Sequence, residues 1–333
     1  MPAQNKAKQG FTTDPFWNYH PEVPLKFAPY YDRPKSIRAI AKYWLNTWNP
    51  LGVQFIFLCI AILAWVYFTP TLESAIEFEF SWIFEIWLRN MLLILAVAGG
   101  LHLYLHTFEK QGSEFKYDKR QLGKKSRRFH FNNQNWDNMF WTLTSGVLLW
   151  TLWESLLLWA FANSYASLIT LQSNPIWFVV LLAFIPLWSS VYFDLQHRVM
   201  HTKWLYKHVH NWHHKNGNTG PWSGLAMHPF EQLVLMSDTL IFFVIAAHPI
   251  HLIYSLMFHG LGAPTSHTGF EKLKIGKRVN ISIGDFYHQL HHRFFDTNFG
   301  TLDSPWDKWS GNFHDGSMQG HAQFLLRRKA SRQ

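Results

Sequence analysis

Long stretches of this chain carry no charge at all. Residues 51–69 are 19 uncharged positions, and 91–108 form a second run, preceded by the amphipathic stretch 81–90. A third, 138–163, is interrupted only by Glu154, and 175–193 is a fourth. About 20 apolar residues in helical form cross the hydrocarbon core of a bilayer. In lipid an isolated segment satisfies its own backbone only as a helix. The runs therefore predict an all-α integral membrane protein with about four transmembrane helices. A fifth run, 239–258, contains the His248-Pro249 step and His251. Proline breaks or kinks a helix, so a re-entrant or interfacial hairpin is expected there. A soluble bundle of buried helices is the competing fold, and the loop charges argue against it.

Those charges are strongly asymmetric. The N-terminal arm carries Lys6, Lys8, Lys26, Arg33, Lys35, Arg38 and Lys42. The link between runs two and three carries Lys110, Lys116, Lys119, Arg120, Lys124, Lys125, Arg127 and Arg128. The link between runs one and two has Glu73, Glu77 and Glu79 and no base, and 164–174 is uncharged. The positive-inside rule then places the N-terminus, the basic loop and everything after run four in the cytoplasm. The net charge of +9 is explained by this topology and by anionic headgroups, without nucleic acid. Aromatic residues at 18% suit a protein that meets lipid and its interface. A mean hydropathy of only -0.10 requires a sizeable polar region beside the spans. Cys59 is the single cysteine, so neither a disulfide framework nor a thiolate metal site can be built. Residues 1–10 are polar, and no cleaved leader is expected. The expected organisation is a basic, aromatic arm (1–50), a first membrane hairpin (51–110), a basic loop (111–137) and a second hairpin (138–196). A histidine-rich catalytic region (197–310, enclosing the hairpin at about 239–258) and a tail (311–333) follow.

Of 20 histidines, 14 fall between His197 and His292. Eight form three patterned sets: His197 and His201; His210, His213 and His214; His288, His291 and His292. Spacings of i,i+3 and i,i+4 put each set on one helix face. Eight imidazoles exceed what one zinc ion uses, since zinc usually takes four ligands, so two metal ions sharing a histidine cage are expected. Neutral imidazole binds iron, zinc, copper and nickel alike and does not name the metal. Asp194 and Asp285, three residues before the first and third sets, are candidates to accept a ligand's other ring N–H or simply to cap helices. Glu154 inside a span is a candidate functional group or a partner of another helix. His20, His130, His314 and His321 read as surface or capping residues.

The ordered set Asp194-x-x-His197-Arg198-x-x-His201, His210-x-x-His213-His214 and His288-x-x-His291-His292 resembles the fatty acid hydroxylase/sterol desaturase superfamily. Met227-His228-Pro229-Phe230-Glu231 resembles that family's His-Pro step. His267-Thr-Gly-Phe-Glu271 resembles its His-x-Gly-aromatic-acidic segment, and Asn298-Phe299-Gly300 and Trp306-Asp307-Lys308-Trp309 its closing stretch. The likeness runs from about Trp136 to Trp309, and residues 1–110 do not share those motifs. It implies a membrane-bound non-haem oxygenase with two iron ions that uses O2 to attack a lipid C–H bond. Its ligands would be the eight clustered histidines with His267 as a ninth. Some members carry another histidine four residues earlier, where this chain has Ala263. His259 is a candidate substitute, and His228 a candidate ligand or neighbour of one. His102 and His106, at the cytoplasmic end of the second run, are candidates to line a substrate entrance.

No flavin, haem or Gly-rich nucleotide motif is visible, so electrons would come from an external donor such as a ferredoxin, cytochrome b5 or a reductase. Hydroxylation and desaturation share their first hydrogen abstraction, and the lipid (sterol, fatty acyl, alkylglycerol or another polar-headed lipid) is left open. The alternative is a membrane zinc-dependent hydrolase, which calls for a His-Glu-x-x-His helix that this chain lacks. A metal transporter would hold its ligands within the membrane rather than after the last span.

Overall fold

A computed structural model describes residues 17–276 and 278–330. Lys6 and Lys8, with the rest of residues 1–16, and the last three residues of the tail lie outside the described residues. The chain runs through α1 (Ile37–Thr47), α2 (Val53–Phe68), α3 (Phe80–Thr107), α4 (Gln134–Ala162) and α5 (Pro175–Met200). It continues through α6 (203–214), α7 (Pro229–Leu235), α8 (Pro249–Gly260), strands β1 (Lys272–Ile275) and β2 (Val279–Ser282), α9 (Phe286–Phe294) and α10 (Met318–Ala330).

Three helices, α3, α4 and α5, with 28, 29 and 26 residues, are long and apolar enough to cross a membrane. Their outward faces carry exposed Phe84, Leu88 and Leu92, Leu148 and Leu152, and Val179 and Phe184. α2 is apolar but has 16 residues, about 24 Å of rise against a core of about 30 Å. Its C-terminus is fixed by chemistry: Thr69 precedes Pro70 and is extended, as the proline ring disfavours helical backbone before it.

Two departures from the sequence reading have clear causes. α3 begins at Phe80, well before the second uncharged run, although this brings Arg89 inside the helix. Arg89 is neutralised by Glu154 of α4 at 2.5 Å and also donates to Thr69 Oγ1 at 2.9 Å. The intramembrane glutamate is thus a partner of another helix. Over the fifth run the chain forms a 3₁₀ segment (Met236–Phe243), a break, and then α8. Pro249 is the first residue of α8 rather than a kink, a position where its missing N–H costs nothing. α8 is buried on almost every side against α2, α4 and α5. Gly260 is required there, since a Cβ would lie 2.6 Å from the Trp150 ring.

The helical region beyond α5 is interrupted by an antiparallel hairpin, β1 with β2, pairing Lys272 with Ser282 and Ile275 with Val279. An all-α expectation misses it because four-residue strands carry too little period to read. From Trp17 onward the N-terminal arm straps this region: Trp17 packs edge-on to Phe286 of α9. Tyr30 and Tyr43 donate to the Asp303 carboxylate at 2.8 and 2.5 Å. α1 buries none of its residues.

Candidate metal centre

The three histidine sets sit on three helix ends. His197 lies in the last turn of α5 and His201 caps it. α6 contains a π-helical turn over Tyr206–His210. Such a turn inserts one residue into the helical register, and here it immediately precedes His213 and His214. α9 carries the third set and starts at Asp285, whose carboxylate accepts from the His288 backbone N–H at 3.0 Å. His267 follows the short helix Gly262–Ser266.

The structure brings these nine residues into two groups: His197, His201, His210, His214 and His291, and His213, His267, His288 and His292. In the first group Nε2 atoms are 2.9 Å apart for His197 and His210 and 3.1 Å for His201 and His291. His201 and His214 are 3.2 Å apart. In the second, His267 stands 3.1 Å from His292, 3.2 Å from His288 and 3.3 Å from His213.

These short distances are not hydrogen bonds where both tautomers are fixed. A carbonyl only accepts, so a ring nitrogen bonded to one carries the proton. His197 Nδ1 donates to Phe299 O at 2.5 Å, His291 Nδ1 to Thr297 O at 2.6 Å, and His292 Nδ1 to Asn216 O at 3.1 Å. His267 Nδ1 donates to Ala263 O at 2.8 Å, and His210 Nδ1 to Glu231 Oε1 at 2.6 Å. Four rings, those of His197, His267, His291 and His292, therefore present a bare Nε2 lone pair inward, and His210 does the same when Glu231 is ionised. His267 faces His292 lone pair to lone pair at 3.1 Å, and with Glu231 ionised His197 faces His210 in the same way at 2.9 Å. Such pairs repel unless a cation lies between them. The spacings also match polyhedron edges, roughly 2.9–3.4 Å, for metal–nitrogen bonds of about 2.0–2.1 Å. The donor set thus fits two metal ions.

Burial holds the rings neutral, the form that ligates. It drives His213 down to about 4 and His291 to about 3, and pushes His201, His210, His214, His267, His288 and His292 below the usual imidazole range. Burial pushes the Glu231 carboxyl well above its usual range. A cation bound to His210 would act against that shift.

The other sequence candidates lie elsewhere. Asp194 takes no ring N–H; it accepts from Arg198 Nε at 2.7 Å and Ser304 Oγ at 2.5 Å. Asp285 is the cap of α9, pushed up to about 6 by burial. His228 caps α7, its Nδ1 accepting from the Phe230 N–H at 3.1 Å, and its ring lies against Trp212. His259 meets Asp238 rather than the histidine groups, so it does not stand in for the position of Ala263. His102 and His106 stack on each other, and His106 Nε2 donates to Thr268 O at 2.9 Å. His106 thereby pins α3 beside His267, and both rings are absent from the cavity lining. His314 is buried against Phe294 rather than on the surface. The sequence reading gave Glu231 no role; its signal was an acid in the first turn after the His-Pro step. The carbonyls of Phe299 and Thr297 carry no sequence signal.

A cavity of about 340 Å³ ends on His197, His213, His267 and His288. Val53, Phe57, Phe193, Leu235 and Phe258 give it apolar walls drawn from α2, α5, α7 and α8. Residues 180–312 match the fatty acid hydroxylase family. The chain carries a domain of the fatty acid hydroxylase/sterol desaturase superfamily. Lathosterol oxidase of Rattus norvegicus is 29% identical over 126 residues, 37% of this chain and 42% of the relative. Sphinganine C4-monooxygenase 2 of Arabidopsis thaliana is 28% identical over 152 residues, 44% of this chain and 57% of the relative. A very-long-chain aldehyde decarbonylase of Oryza sativa subsp. japonica is 29% identical over 134 residues, 40% and 48% of the two chains. The chain thus spans about half the length of these relatives or less. No solved structure matches it. All nine clustered histidines fall within the fatty acid hydroxylase domain, as do Glu231 and Phe299.

Proposed function

We propose that the protein is a membrane-bound non-haem oxygenase holding two iron ions, which hydroxylates or desaturates a lipid C–H bond with O2 and electrons from an external donor. The observation that carries this is the junction of two histidine groups, with inward-facing lone pairs, and an apolar-walled cavity between α5, which is membrane-length, and α2, α7 and α8. Two iron ions on these residues would supply the oxygen chemistry that an unactivated C–H bond demands. The chain's own part is to hold rings in one tautomer, exclude water, and let a lipid stay in an apolar channel while one carbon reaches the histidines. The donor, a ferredoxin, cytochrome b5 or a reductase, would meet the basic cytoplasmic face.

The topology proposed is two membrane hairpins, 51–110 and 138–196, with α2 as the fourth crossing. The arm, the basic loop, the histidine region and the tail then lie in the cytoplasm. The test is metal analysis of protein purified with its native metal, followed by O2 uptake on adding reductant and membrane lipid. About two iron atoms per chain and lipid-dependent O2 uptake are expected. Zinc with hydrolytic turnover and no O2 consumption would overturn the reading.

A further inference from the structure

The cavity wall is not uniformly apolar. On its membrane side, Ser189 Oγ of α5 donates to Asp238 Oδ2 at 2.8 Å, and Ser255 Oγ of α8 donates to the same oxygen at 3.2 Å. His259 of α8 brings Nε2 to 2.9 Å from that oxygen, out of line for a good hydrogen bond. Asp238 Oδ1 is buried without a partner. Ser189, Ser190 and His259 line the cavity among phenylalanines and leucine. So does Gln196, 8% exposed, whose Oε1 is buried with no hydrogen-bond partner.

An ionisable pair among membrane-spanning helices is expensive, and an apolar pair would pack as stably. The His259 contact does not complete the hydrogen bonding of Asp238, because it falls on Oδ2, which two hydroxyls already serve, while Oδ1 stays without a partner. Nor does Asp238 satisfy His259: among the described residues it is the ring's one polar contact, and it is misaligned. The ring therefore retains hydrogen-bonding capacity at the cavity wall, and Gln196 retains more of it nearer the histidines.

We propose that His259, positioned by Asp238, anchors a hydroxyl group of the lipid substrate, so the substrate is a hydroxyl-bearing lipid rather than a plain hydrocarbon chain. A hydroxyl both donates and accepts, so it pairs with the ring whichever nitrogen holds the proton. A free carboxylate is disfavoured by the like charge of Asp238 behind the ring. Ser189, at the level of this anchor, precedes His197 by eight residues on α5, about 12 Å along the axis. The anchor thus grips the hydroxyl on the membrane side while a carbon farther along the lipid reaches the histidines. The identity of that reacting end rests on the oxygenase reading, whereas the grip itself does not.

The test is retention of paired probes, 1-octadecanol against octadecane and cholesterol against cholestane, by the full protein in lipid nanodiscs, with bound lipid counted by mass spectrometry. At least one alcohol should be retained tenfold or more over its alkane. His259→Leu should bring that preference within threefold without changing alkane retention, and His259→Gln should keep part of it. Equal retention of alcohol and alkane by the wild type in both pairs overturns the proposal, with no variant needed. So does a folded His259→Leu protein with the wild-type preference. Iron content and O2 uptake of the same samples separate the two readings. Discrimination without iron leaves the anchor standing and removes the oxygenase. Iron and lipid-dependent O2 uptake without discrimination do the reverse.

Discussion

Glu231 holds His210 in the tautomer that turns Nε2 inward, through a 2.6 Å hydrogen bond to Nδ1. Removing its charge weakens that hold, and comparable substitutions behind metal-bound histidines cost 10–100-fold in affinity. Glu231→Gln should therefore lose iron to a chelator about tenfold faster than the wild type, with unchanged helical circular dichroism. Equal retention would mean that the carboxylate is structural. A second residue ties stability to pH. His314 is buried, its ring stacks on Phe294, and its Nδ1 accepts the Gly316 N–H at 3.0 Å. Burial drives it down to about 4, below the unfolded value of about 6.5. The unfolded chain then takes up this proton first, so the contribution is full above pH 6.5 and is lost as pH falls toward 4. Each pH unit in that window costs up to about 1.4 kcal/mol. The melting temperature of the wild type should fall more steeply across it than that of His314→Asn; parallel slopes would contradict the assignment. At this scale eight of the nine imidazoles were legible because their spacing repeats a helical period, and His267, which has no such partner in sequence, only through the family resemblance. Glu231 was only half legible, and the carbonyls of Phe299, Thr297 and Ala263 not at all, since a backbone acceptor leaves no trace in side-chain identity.

Among the elements, the ion pair between α3 and α4 tests how these helices pack. Arg89 and Glu154 are both buried, and Glu154 also receives Asn90 Nδ2 at 3.3 Å, so two adjacent donors of α3 share one carboxylate oxygen. Removing one partner leaves an uncompensated buried charge, which costs about 3–5 kcal/mol, while replacing both with apolar residues is often near neutral. Arg89→Met should lower the thermal midpoint strongly, and Arg89→Met with Glu154→Leu should recover most of the loss. A double variant as unstable as the single one would show that the pair is not the cause. The same pair explains why the sequence misplaces the start of α3: a charge reads as the end of a span until its partner on another helix is seen. The π-helical turns in α3, α4 and α6 were illegible for a similar reason. The turn in α4 begins at Thr142, whose hydroxyl donates to Trp222 O at 2.9 Å, a tertiary contact with no trace in the local sequence.

For the whole molecule, the loop charges and the helix lengths make separate demands on the topology. Charge places the acidic turn around Glu73–Ala75 opposite the basic loop around Lys125. Length is satisfied for α3, α4 and α5, while α2 is short of a full core by itself and packs along α8, which is buried against α2, α4 and α5. If α3, α4 and α5 each cross, the residues on either side of α3 are separated by the membrane, and the histidine groups at the end of α5 share a side with Lys125. The single natural cysteine, Cys59, makes this simple to read. In a Cys59→Ser background, Ser74→Cys and Lys125→Cys, both at exposed positions, should react with a membrane-impermeant maleimide from opposite sides of sealed vesicles. A cysteine replacing exposed Lys207 on α6 should label from the same side as position 125. Labelling of positions 74 and 125 from one side would remove the paired-hairpin topology.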